Sequence, residues 1–180
     1  MTKKLKDLLV DSVVVIDAHE NGYWERLCNA YRIFLPGTVI EDELFFFTSD
    51  KGKQPLLVPN WIHQGKITRI DAQIADFAAL TRRLSNDFIK ALDDGELEAL
   101  AILISKQYQH LFFTTADRAA IKAMGVLSLG IRGLSVEDLL NNLQGLSTKK
   151  KKMEPHFTKQ WFQKALAEGF TEQHLWLKPS

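Results

Sequence analysis

Apolar residues fall along this chain in two kinds of block. The first kind is short and continuous: residues 13–16 (VVVI), 32–35 (RIFL), 110–115 (HLFFTT) and 126–129 (VLSL), with a less regular one at 66–70. Runs of this length, rich in β-branched and aromatic residues, predict strands buried on both faces, as in a parallel sheet. The second kind has helical spacing. Trp24, Leu27, Cys28 and Tyr31 predict a helix over 22–31, and Ile74, Phe77, Ala78, Thr81 and Leu84 one over 72–84 that ends in Arg82 and Arg83, where cations suit the helix dipole. A short helix over 86–92, a helix over 119–124 stopped by Gly125, and a helix over 136–143 capped by Ser135 complete the set. Pro36-Gly37 marks a turn, and residues 48–60, with Gly52, Pro55 and Pro59, read as a loop or short hairpin.

The organising stretch is 92–104, LDDGELEALAILI. Leu97, Leu100, Ala101 and Ile104 recur at helical spacing, and Ala99, Ile102 and Leu103 fill most of the remaining circumference. A helix apolar nearly all round is buried on most faces. Strands alternating with helices predict an α/β fold, with a central parallel sheet between helical layers.

With 180 residues, the chain has room for one domain with a full core and an appendage. The polar stretch 141–152, with Gly145 and the run Lys149, Lys150, Lys151 and Lys152, places the division at 1–146 and 147–180. The four lysines read as a solvated linker or as a phosphate contact. Phe157, Trp161, Phe162 and Leu166 predict a C-terminal helix that packs back on the domain or on a partner, a second copy included. A net charge of +1 argues neither for nor against a nucleic-acid partner. Cys28 is the only cysteine, which excludes an intrachain disulfide or a cysteine-rich zinc site and makes a reducing, cytoplasmic setting the expectation. Asp7 and Asp11 interrupt the apolar start, against a secretory signal, and no stretch approaches the ~18 apolar residues of a membrane span.

The candidate chemistry lies in acids at the ends of these blocks. Asp17 closes 13–16 and Asp117 follows 110–115, so both belong at the carboxyl edge of the sheet, where open α/β folds bind ligands. Glu96 falls in the first turn of the organising helix. Each has a structural alternative: a helix cap for Asp17, and for Glu96 the third residue of a capping box begun by Asp93. Glu41, Asp42 and Glu43 suit the positive end of a helix dipole, or one of them joins the others. Clustered carboxylates repel unless they share protons or bind a cation, and hard oxygen donors suit Mg²⁺ or Mn²⁺. Such ions activate water and stabilise the charge that develops in phosphodiester cleavage.

The blocks VVVIDAHE, PGTVIEDELFFF, LDDGELEALAIL and LFFTTADRAAIKAMGV resemble the four acidic motifs of the PIN-domain nucleases, nearest to PIN-like proteins with a GEAEA block followed by DDR. The resemblance spans residues 12–140. It implies a three-layer α/β/α domain and a Mg²⁺- or Mn²⁺-dependent endoribonuclease, often the toxin of a toxin–antitoxin pair. RNA and an antitoxin protein are then the expected partners. Carried over by position, Asp17, Glu96 and Asp117 are the expected metal ligands and Asp42 the remaining catalytic acid, with Glu41 or Glu43 in its place if the register slips. The pattern is broken twice. His19 stands where Ser or Thr is usual, and is expected to border the acidic cleft as an accessory residue or to cap a helix; Ala116 replaces a frequent acid. These departures keep open a non-catalytic PIN-like module that binds RNA or protein. A receiver-like phospho-acceptor domain fits less well, since the doubled acids expected after the first strand and a clear lysine after the last are missing.

Overall fold

The computed structural model describes residues 6–143 and 153–179. The four lysines of 149–152 lie outside the described residues. The central strand is β1 (Lys6–Val10), whose Leu8, Leu9 and Val10 are fully buried. It pairs in parallel with β2 (Tyr31–Pro36) on one side and β6 (Phe112–Thr114) on the other, with Leu8 opposite both Ile33 and Phe112. With β5 (Ile67–Ile70) beyond β2 and β7 (Gly133–Leu134) beyond β6, the sheet runs β5-β2-β1-β6-β7 and every pairing is parallel. The chain fills one half outward from β1 and then returns to fill the other, so the order reverses between β1 and β6.

Alternation along each strand feeds two cores. Leu8, Val10, Ile33 and Leu35 face a layer holding α1 (Ser12–Glu20), α2 (Trp24–Ala30), α3 (Val58–His63) and α8 (Val136–Asn142). Leu9, Phe34 and Phe113 face α4 (Ile74–Arg83), α5 (Asn86–Ile89), α6 (Asp94–Ile104) and α7 (Arg118–Val126). The expected α/β arrangement, a parallel sheet between helical layers, is what the chain adopts. An antiparallel hairpin, β3 (Phe46–Ser49) and β4 (Gly52–Pro55), stands apart from the main sheet.

Two of the expected strands are helical. Residues 13–16 lie inside α1, and the first strand is the preceding run. A fully buried apolar run has no periodicity to separate helix from strand. The deciding residue is Asp11, which caps α1 by accepting from the Ser12 N–H at 2.7 Å. Residues 126–129 are the end of α7 and the turn after it, because Gly125 does not stop that helix. It instead admits α9 (Lys159–Thr171): a methyl at Gly125 would overlap the Leu166 carbonyl, and one at Gly169 the Lys122 carbonyl. This close approach brings Phe162 into the core and half-buries Trp161. The acids 41–43 do not open a helix; they finish a single π-helical turn, Val39–Glu43.

Candidate active site

Asp17 is not a strand-end residue. It lies on α1, six residues or ~9 Å of helix beyond Asp11. Its carboxylate accepts from Tyr23 Oη at 2.5 Å and Asn21 Nδ2 at 2.7 Å, and none of its described partners belongs to Glu96 or Asp117. His19 is likewise drawn elsewhere. Its Nδ1 lies 2.8 Å from the Val15 carbonyl and its ring packs against Trp61, Trp24 and Phe47, with centroids 4.7, 4.8 and 5.3 Å away. Burial there lowers its pKa. Asp42 is exposed, and Glu41 is spent on Arg69 at 2.6 Å.

The position that sequence reasoning gave to Asp17 belongs to Asp11. Asp11 leaves the end of β1 at the point where strand order reverses, the usual ligand crevice of an open α/β sheet. Its Oδ2 accepts from the Thr115 hydroxyl at 2.6 Å, and the same hydroxyl oxygen accepts from the Asp117 N–H at 3.0 Å. One threonine after β6 thus fixes the acids of two neighbouring strand ends. Asp117 caps α7, its Oδ1 accepting from the N–H groups of Ala119 and Ala120. Ala116 packs into the core beside Val136.

Glu96 reaches the same place from α6. It forms the expected capping box, its Oε2 accepting from the Asp93 N–H at 3.0 Å while Asp93 Oδ1 accepts from the Glu96 N–H at 2.7 Å. The capping and site readings are not alternatives, because the Glu96 carboxyl is also hydrogen-bonded to that of Asp117. Glu43 supplies the remaining acid. It hydrogen-bonds Ser12, feels the charge of Asp93, and sits so close over the start of α6 that a methyl on Gly95 would overlap its Oε1. The glycine in the GE block therefore makes room for a carboxylate from another segment.

Asp11, Glu43, Asp93, Glu96 and Asp117 thus form one connected acidic group, and among the described residues none of them is in a salt bridge. Burial, opposed by the Thr115 hydrogen bond and reinforced by Glu43 and Asp93, pushes Asp11 up to about 6. Burial and then the Asp117 carboxyl push the pKa of Glu96 well above the usual carboxylate range. Burial also raises Glu43.

The donor set is oxygen throughout, which suits a hard divalent cation in kind. Among the described residues no three such side chains are already gathered as a metal cage. Taking up a cation would require an ionised Glu96 and convergence of the carboxylates.

Sequence reasoning missed Asp11 and Glu98. The signal for Asp11 was Asp-Ser between two apolar runs, a capping pair that divides them into strand and helix. Glu98 is buried and accepts from the Thr38 N–H at 2.7 Å and the Ala72 N–H at 3.0 Å, tying together the loops after β2 and β5. No protein-family model, curated protein or solved structure matches the chain. Among the described residues no helix is long and apolar enough to cross a membrane.

Proposed function

We propose that the chain is a PIN-like, divalent-metal-dependent endoribonuclease whose site is built from Asp11, Glu96 and Asp117, with Glu43 and Asp93 at its rim. One observation carries this reading: five carboxylates from four segments lie near one another at the strand-order reversal, and among the described residues none of them is in a salt bridge. Like charges held together this way call for a cation. Mg²⁺ or Mn²⁺, when bound, would supply the activated water and the charge stabilisation of phosphodiester hydrolysis. The protein residues have separate tasks. Thr115 holds Asp11 and the Asp117 backbone at a fixed spacing. The capping box fixes the Glu96 carboxyl at the mouth of α6. Glu96, whose pKa is raised, would have to lose its proton before serving as a ligand, so occupancy would rise with pH.

The test is cleavage of single-stranded RNA with Mg²⁺ or Mn²⁺, beside thermal unfolding with and without the ion. Metal-dependent cleavage lost in Asp117→Asn supports the reading; neither cleavage nor a metal-induced stability change in the wild type overturns it. The hydrogen-bonded Glu96–Asp117 pair, with no ready-made cage around it, favours one second reading: a PIN-like module that binds RNA or protein without cutting.

A further inference from the structure

Glu43 is followed immediately by Leu44, which is buried, and then by Phe45 and Phe46, which are 57% and 47% exposed. Two adjacent aromatics left in solvent beside an acidic crevice need an explanation, because the segment that carries them is firmly anchored. Phe47 turns inward onto His19, the Thr48 N–H donates to Glu20 Oε1 at 3.1 Å, and the Leu56 N–H donates to the Phe45 carbonyl at 3.0 Å. Pairing of Phe46 with Pro55 and of Thr48 with Lys53 puts these four on the outer face of the hairpin. Lys53 holds its ammonium 4.2 Å from the centre of the Phe46 ring and, among the described residues, takes no carboxylate, and Lys51 stands exposed near the tip.

A flat ring with an unpaired ammonium above it is the chemistry of a base-stacking platform with a phosphate contact. Phe45 and Phe46 lie two and three residues from Glu43, so their Cα atoms are within ~7 and ~11 Å of its own. A strand stacked there would have its neighbouring phosphates at the crevice. We infer that the exposed hairpin surface carrying Phe46 and Lys53, with Phe45 at its base and Lys51 near its tip, binds single-stranded RNA and leads it into the acidic site. The inference rests on the ribonuclease reading and adds to it the surface that takes up unpaired RNA. A duplex keeps its bases stacked on one another and offers none to a ring.

Binding is measured in EDTA, where no cleavage occurs, by fluorescence anisotropy of a labelled oligouridylate and of a labelled RNA duplex. Wild type should prefer the single strand. Phe46→Ala should weaken binding about tenfold, the range of one lost stack, and Phe46→Tyr should restore it. Lys53→Gln should flatten the salt dependence. Equal affinity for the duplex, or Phe45→Ala and Phe46→Ala variants that bind like wild type, would overturn the inference even where metal-dependent cleavage is intact. Hairpin-dependent binding without any cleavage would uphold it while removing the nuclease reading. Concentration-dependent self-association abolished by the same two substitutions would overturn it in favour of a protein interface.

Discussion

Asp11→Asn separates a functional acid from a structural cap. In the metal-free fold the Asp11 carboxyl is enclosed, and its pKa rises from 3.8 to about 6. Holding it ionised therefore costs about 3 kcal/mol at neutral pH. The sign follows from linkage: an acid with a raised folded pKa contributes its stability below the unfolded value, and that contribution is lost as pH rises through about 6. Asparagine removes the charge and still accepts the Ser12 N–H, since Asn caps as well as Asp. It cannot accept from Thr115, whose hydroxyl must turn, a loss of about 1 kcal/mol. The net expectation at about pH 8 in EDTA is a gain of about 2 kcal/mol, or roughly 4–8 °C in melting temperature for a chain of this size. At about pH 4 the gain should vanish. With Mg²⁺ or Mn²⁺ at ~100 times its Kd, wild type should gain about 2.7 kcal/mol and the variant much less. Thermal unfolding at both pH values, with and without the ion, reads all of this. A variant less stable than wild type at both pH values, with its metal response intact, would show Asp11 to be a cap and nothing more.

The other expectations are narrower. Asp117→Asn should lower RNA cleavage at least tenfold, about 1.4 kcal/mol on the barrier, with little change in stability because Asn still caps α7; Asp17→Asn should leave cleavage close to wild type, and a loss as large as that of Asp117→Asn would put Asp17 back in the site. Glu98→Ala strands the N–H groups of Thr38 and Ala72 and should cost about 2–4 kcal/mol in urea unfolding; a neutral result would mean water replaces the carboxylate. Gly95→Ala pushes Glu43 out of the crevice and should reduce the metal-induced stability gain, whatever the helix itself gains from alanine.

The sheet and its acidic edge were legible in the sequence where local chemistry was unambiguous. Asp93 and Glu96 have the spacing of a capping box, and α6 begins as that spacing requires. HLFFTT reads as a strand ending just before Asp117, and Phe112–Thr114 is that strand, with Asp117 opening the helix that follows. The first acid was misplaced because VVVI looks more like a buried strand than KDLLV does, while Asp11, which decides the matter, acts through a cap and through Thr115 more than 100 residues away. The choice among Glu41, Asp42 and Glu43 depended on a π-helical turn, whose register no periodicity announces; that turn exposes Asp42, gives Glu41 to Arg69, and directs Glu43 inward. Gly125 reads as a helix stop because a glycine at a helix end and a glycine under a crossing helix look alike until the partner helix is placed.

The way this chain treats its other buried acids strengthens the case for a cation at the crevice. Asp7 is 8% exposed and is met by the Arg32 guanidinium through two hydrogen bonds, with His110 Nε2 at 3.3 Å. Glu98 is 5% exposed and is met by two backbone N–H groups. In both places an enclosed carboxylate has partners that stabilise its charge. At the strand-order reversal the protein does the opposite. It brings Asp11 beside Glu43 and Asp93, and Glu96 onto Asp117, and supplies caps and a hydroxyl but, among the described residues, no salt-bridging basic side chain. Those caps orient the carboxylates without neutralising them, so Asp11 and Glu96 hold their protons to higher pH than ordinary acids. A fold that satisfies Asp7 and Glu98 but leaves this group without a described basic partner is what the proposed cation site requires, and Asp11→Asn measures the cost of that arrangement.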